Sequence, residues 1–194
     1  MAFAEDLLSS YMPDATWPEE RGWVMAMVAE MHESLEELDK AIEYYEESLH
    51  IHPGSKTAFR LCRARFKKAV ALKEELAARG PSEGYPGHDA LAEVGRRITR
   101  DGKSRTLLQK SLEEELLQNW KGVIAAFHLG VANKVVHQVL DDGPLHEDME
   151  KVHVAGALVE LGDLAGAKKF ADQASAAFPE NSSLKFMAKQ IDEA

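Results

Sequence analysis

An all-α chain built from stacked helix-turn-helix units is the fold this sequence predicts, on three observations. Apolar residues recur at helical spacing between Gly22 and Pro53, first as Val24, Met27, Val28 and Met31 and then as Leu38, Ile42, Tyr45 and Leu49. Small residues stand where two helices must approach closely, at Ala29, Ala41 and Ser48, and Pro53 closes the unit, so the intervals are twelve, seven and five. The same intervals return at Ala155, Ala167, Ala174 and Pro179, 126 residues later. That shift also sets Val28 on Val154, Leu35 on Leu161, Leu38 on Leu164 and Tyr44 on Phe170.

The pattern resembles the tetratricopeptide repeat, a helix-turn-helix unit of about 34 residues. The resemblance implies a right-handed helical solenoid with degenerate central repeats and a C-terminal capping helix. It also implies a binding scaffold in which the first helix of each unit lines a concave face. A lone helical hairpin cannot bury its apolar stripe, so the intervening helices must complete the core.

The elements follow in order. Residues 1–15 hold a short N-terminal helix with Phe3, Leu7, Leu8 and Tyr11 on one side, ended by Pro13 and Asp14. Residues 16–54 form the first clear repeat, with Thr16 as N-cap, Glu19 completing a capping box and Pro18 in the first turn. Trp17 and Trp23 flank this start and are expected to pack the short helix down. The second helix runs from Glu37 to His50 and stops at Pro53-Gly54. Residues 55–79 form a long or degenerate helical unit, because no Pro or Gly interrupts Ser55 to Ala78. The loop 80–88, GPSEGYPGH, is the clearest break in the chain.

Residues 89–147 are expected to be degenerate helical repeats. A helix from Ala90 to Arg100 turns at Asp101-Gly102, another runs from Ser104 through Gln118, and an apolar hairpin from Trp120 to Leu140 bends near Gly130. Residues 148–181 form the last clear repeat, in which Gly162-Asp163 supplies the turn where the first copy has Glu36. Residues 182–194 hold the capping helix, with Leu184, Met187 and Ile191 on one face. Repeat starts near residues 22, 56, 88, 120 and 148 make five units, the inner three irregular.

Composition narrows the function. With 194 residues, 45% hydrophobic, the chain can furnish a core, and a formal net charge of -10 argues against general affinity for nucleic acid or anionic membrane. The single cysteine, Cys62, cannot form an internal disulfide and reads as a small buried apolar residue in a reducing compartment. Acidic Glu5 and Asp6 stand where a secretory signal carries basic residues, and no window approaches 18 consecutive apolar residues. A cytoplasmic protein without a membrane span is the expectation.

No catalytic residue, metal or cofactor is expected. The chain lacks HExxH, GxSxG, GxxxxGK[ST] and GxGxxG motifs. His50 and His52 straddle a helix end, which suits a polar terminus, and His146 with Asp141, Asp142 and Asp148 lacks the spacing of a calcium loop.

Charge asymmetry says more. Residues 1–53 carry thirteen Asp and Glu against Arg21 and Lys40, whereas residues 54–79 carry eight Lys and Arg against Glu74 and Glu75. A second basic group follows in Arg96, Arg97, Arg100, Lys103 and Arg105. One outcome is that basic helices pack beside acidic ones and the charges pair across repeats. The other is a basic strip of Arg60, Arg63, Lys67 and Arg97 inside the groove, steering an acidic peptide past Ala26 and Glu30. The partner expected is a protein or peptide. The alternatives are a homo-oligomer joined through the groove or the Trp17, Trp23 and Trp120 region, and a nucleic-acid regulator using the basic clusters at 56–73 and 96–105.

Overall fold

The structure is a computed structural model that describes residues 17–79, 95–137 and 147–179, together with 10, 188, 189 and 191. The described residues form six α-helices and no strand: α1 Pro18–Ser34, α2 Leu38–Ile51, α3 Ser55–Arg79, α4 Gly95–His137, α5 Glu147–Glu160 and α6 Leu164–Ala177. The chain is all-α, and no described helix is long and apolar enough to cross a membrane. The short helix expected over 2–11, the loop at 80–88 and the acidic stretch around Asp141 and His146 lie outside the described residues. So does the expected capping helix, except for Ala188, Lys189 and Ile191; Ile191 is buried in the core.

The helices associate as three consecutive pairs, α1 with α2, α3 with α4 and α5 with α6, and each pair touches the next through α2 with α3, α4 with α5 and α3 with α5. Within the first pair, Tyr45 reaches Glu33 and Ser48 reaches Gly22, so α2 runs antiparallel to α1. Phe59 meets Phe127 while Arg65 meets Asn119 and Lys68 meets Glu115, which makes α4 antiparallel to α3. The first helices run side by side in one direction: Glu30 and Glu33 of α1 face Arg60 and Arg63 of α3. Further along, Phe66 and Lys73 of α3 face His153 and Glu160 of α5.

The small residues sit where the spacing places them. Ala29, Ala41, Ala155, Ala167 and Ala174 are fully buried, Ser48 is nearly so, and all but Ser48 and Ala174 belong to the main core cluster. Leu38 and Leu164 are half-buried, while Pro53 and Pro179 lie exposed just past the ends of α2 and α6. The two end pairs share one turn. Glu36 N–H donates to Glu33 and Glu37 N–H to His32; 126 residues on, Gly162 donates to Val159 and Asp163 to Leu158. This is the Schellman pattern, which needs a left-handed residue at its centre. Glu36 takes φ 61° and Gly162 φ 81°. The register extends to the bonds from Ala41 to Glu37 and from Ala167 to Asp163, and to the helix ends at His52 and Phe178.

Ser55–Arg79 is one helix of 25 residues, the long form of the unit expected there, but the segment after it differs from the expectation: Gly95–His137 is one uninterrupted helix of 43 residues. The turn at Asp101-Gly102, the break before Trp120 and the hairpin at Gly130 therefore do not occur, and the segment supplies one long helix in place of two further units. Packing explains two of the glycines. A Cβ on Gly122 would fall 2.6 Å from Cδ of Arg65, and one on Gly130 would fall 2.5 Å from Cε1 of Phe59. Each glycine costs a helix interior roughly 1 kcal/mol relative to alanine, and here it lets α3 side chains lie against the α4 backbone. Only one face of this part of α4 is covered: Val123, Ala126 and Phe127 are buried, while Leu129 and Val131 are exposed.

At the start of α1 the N-cap is Trp17, without a side-chain cap bond; Pro18 opens the helix, and Glu19 and Glu20 favour its positive end. Trp17 and Trp23 are 64% and 62% exposed, and the short helix they are expected to pack down lies outside the described residues. Trp120 is the reverse, 4% exposed, because it faces Phe66 edge-on between helices.

Candidate functional site

Helix α3 is the hub, and its basic residues reach outward to four neighbours. Arg60 pairs with Glu30 of α1. Arg63 donates from Nε and Nη2 to the two oxygens of Glu33, each at 2.9 Å, and Lys67 Nζ lies 2.7 Å from Glu33 Oε1. Arg65 pairs with Glu46 of α2 and donates to Asn119 of α4 at 3.3 Å. Lys68 bridges Asp39 of α2 and Glu115 of α4 at 2.9 and 3.2 Å. Lys73 reaches Glu160 of α5 at 2.6 Å. The acidic first pair and the basic third helix thus neutralise each other across their contact.

Glu33 is the centre of this network. Its side chain is 5% exposed and also accepts from the Tyr45 hydroxyl at 2.9 Å. Burial pushes its pKa upward, but the hydrogen bonds from Arg63 and Lys67, with the charge of Arg63 and the Tyr45 bond, outweigh it and bring the pKa down to about 2. Burial, and then the Glu33 carboxylate, push the Tyr45 phenol up, so it stays a donor. At the base of the turn, Glu37 is bonded to His32 at 2.7 Å and to Lys40 at 3.1 Å, and these partners lower its pKa.

A second polar pair lies between α3 and α5. Glu150 is buried and lies 2.6 Å from His153 Nδ1. Burial and then Glu150 push the Cys62 thiol well above the usual thiol range, which leaves it protonated and a poor nucleophile. Cys62 is the fully buried small residue that its surroundings predict.

The residues proposed from sequence for partner contact separate accordingly. Glu30, Arg60, Arg63 and Lys67 come together, but as ion pairs between α1 and α3 and not as a free basic strip. Ala26 is 4% exposed and belongs to the α1 core face, so it is not available to a partner. Arg97 stands on α4, and its side chain is outside the described set. Glu33 is not among the residues expected from sequence, and Tyr45 is expected only as part of an apolar stripe. The signal was present: Glu30 and Glu33 repeat the three-residue step of Arg60 and Arg63, which is what two parallel helices need to pair twice.

A cleft of ≈ 490 Å³ opens where α3 continues past the α5–α6 turn. Phe66, Val70 and Ala77 of α3, Trp120 of α4, Val159 of α5, Leu164 of α6 and Ile191 line it, with Lys73, Glu74 and Glu160 also on its wall. At 1.5 Å per residue α3 is about 37 Å long and α5 about 21 Å. Lys73 is level with Glu160, the last residue of α5, so the final turns of α3 have no counterpart in that helix. Gly156 lets the Phe66 ring lie against the α5 backbone, since a Cβ there would fall 2.9 Å from Phe66 Cε2.

Among the described residues no cluster of three His, Cys, Asp or Glu could hold a metal ion. The groups brought together can bind through charge and apolar contact. No model of a known protein family matches this chain, and no curated protein is significantly similar to it.

Proposed function

We propose that this chain is a tetratricopeptide-like helical scaffold that binds a partner protein or peptide and carries out no chemistry itself. The observation that carries the proposal is the hydrogen-bond register shared by the α1–α2 and α5–α6 turns, 126 residues apart. Hairpins with a common turn on either side of a third helical pair support a repeat solenoid, and such solenoids work through extended surfaces. Among the described residues three pairs stand where five units are expected from sequence, since α4 is continuous. Because Arg60, Arg63 and Lys67 are already paired to Glu30 and Glu33, an acidic ligand must share these cations, and charge steering alone is a weak source of affinity. The same pairing removes support from binding to nucleic acid through 56–73.

A photoreactive residue placed in turn at Met27, Lys56 and Lys151, one on each first helix, tests the scaffold. Crosslinking of the same partner from at least two helices is the expected result; crosslinks to unrelated proteins, or to none, count against it. Exposed Trp17 and Trp23 favour one second reading, self-association through the start of α1. Sedimentation across a concentration series checks it: association that Trp17→Ala with Trp23→Ala abolishes supports it, and a monomer throughout does not.

A further inference from the structure

The cleft beside α3 has the dimensions of a small-molecule site. Its ≈ 490 Å³ lies within the roughly 300–1,000 Å³ of ligand pockets, and its wall combines aromatic and aliphatic side chains with few polar ones. Phe66 and Trp120 meet edge-on with ring centres 5.6 Å apart, giving the interior a fixed aromatic corner. The cleft runs along the α3–α5 seam and past its end: Phe66, Val70 and Lys73 face α5, while Glu74 and Ala77 of the longer α3 lie beyond Glu160, the last residue of α5.

The charged groups then select the head of a ligand. Lys73 is held by Glu160 at 2.6 Å. Glu74 is exposed and has no ion pair among the described residues. Lys73, Glu74 and Glu160 together leave one negative charge on an otherwise apolar cleft. An anionic head would have to displace Glu160 from Lys73, whereas a cationic head meets Glu74 without breaking anything.

We propose that this cleft binds a small amphiphile with a linear apolar body and a single cationic head, the body lying along Phe66, Trp120 and Val159 and the head beside Glu74. The site is independent of the partner-binding surface proposed above.

Trp120 provides the readout, since the chain has three tryptophans and replacing Trp17 and Trp23 by Phe leaves it alone. In that background, decylammonium and decanoate share a chain length and differ in the sign of the head. Both are titrated below their micellar concentrations at neutral pH and low salt. Decylammonium should change Trp120 emission saturably with one-to-one stoichiometry, and decanoate should bind about five-fold more weakly, the scale of one exposed ion pair. Glu74→Lys, at an exposed position, should reverse that order. Ala77→Trp, also exposed, should fill the entrance and weaken both probes at least ten-fold, with circular dichroism confirming that each variant is folded. No saturable change with decylammonium, equal or tighter binding of decanoate to the parent, or undiminished binding to folded Ala77→Trp would each overturn the proposal.

Discussion

The first and last helical pairs share the hydrogen-bond register of their turns and differ in how their first helices meet α3. In α1–α2 the apolar contact with α3 is joined by carboxylates of α1, Glu30 on Arg60 and buried Glu33 on Arg63 and Lys67, with Tyr45 of α2 also donating to Glu33. In α5–α6 the equivalents of Glu30 and Glu33 are Gly156 and Val159, and the contact is largely aromatic and apolar. Phe66 lies over Gly156, and Phe170 meets Phe127 edge-on at 5.4 Å between ring centres. One hairpin geometry therefore accommodates either a desolvated ion network or a close apolar contact. The two ends should respond differently to pH and to substitution.

Removing the central carboxylate is the strongest way to break the comparison. Glu33→Ala leaves Arg63, Lys67 and the Tyr45 hydroxyl without their acceptor, and breaking a buried ion pair from one side costs about 3–5 kcal/mol. Val159→Ala, at the equivalent place in the last pair, only shortens a half-buried aliphatic chain and should cost about 1 kcal/mol. Chemical denaturation of the two variants measures the difference, and equal losses would mean that the Glu33 network holds no special share of the stability.

Acid provides the next test. The folded pKa of Glu33, about 2, lies below the ordinary value of 4.5, so its stabilisation is complete above pH 4.5 and is lost as pH falls from there towards 2. At 1.36 kcal/mol per pKa unit the upper bound is about 3 kcal/mol, and solvent screening at the partly exposed Arg63 and Lys67 should bring the loss to about half of that. Hydrogen exchange should show α1–α2 opening ahead of α5–α6 in this range, and Glu33→Gln should flatten that part of the profile. Simultaneous opening of both ends in parent and variant would contradict the assignment.

Two smaller effects sharpen the comparison within the hairpins. Ser48 Oγ donates to the Gly22 carbonyl at 2.6 Å, while Ala174 holds the equivalent place without a hydroxyl. Ser48→Ala should therefore cost about 1 kcal/mol, measured by thermal unfolding. At the turns, Glu36→Gly should stabilise by about 0.5 kcal/mol, because glycine takes positive φ without steric penalty but loses more chain entropy. Gly162→Ala should destabilise by about 1 kcal/mol from backbone strain alone, since nothing lies within 4 Å of the added carbon. Changes of opposite sign in the two turns are the expected signature.

Much of both ends was legible from sequence. Helical periodicity and the twelve, seven and five spacing are local properties of a chain with 3.6 residues per turn, so Ala29, Ala41, Ala155 and Ala167 could be placed in the core without neighbours being known. The middle was not legible for a specific reason. Gly102, Gly122 and Gly130 lower local helix preference, which favoured turns, but the side chains that make Gly122 and Gly130 useful are Arg65 and Phe59, far away in sequence. The capping-box pattern predicts Thr16 as the N-cap, whereas α1 begins one residue later, with Trp17 in that position and no side-chain cap.

The candidate site divides along the same line. Charge asymmetry between residues 1–53 and 54–79 is visible in the chain, and pairing of basic with acidic helices was one of the two outcomes it allowed. Which outcome occurs depends on helix phase: Arg60, Arg63 and Lys67 face Glu30 and Glu33 because α1 and α3 lie parallel with matching three-residue steps.

Helix formation, the two small-residue seams and the acidic-to-basic succession are written in local order along the chain, where periodicity and composition act without reference to distant residues. The number of helical pairs, the burial of Glu33 and the cleft beside Trp120 depend on packing between segments. A carboxylate becomes a buried anchor only when three donors converge on it, and an apolar stripe becomes a cleft only where the helices beside it leave it open.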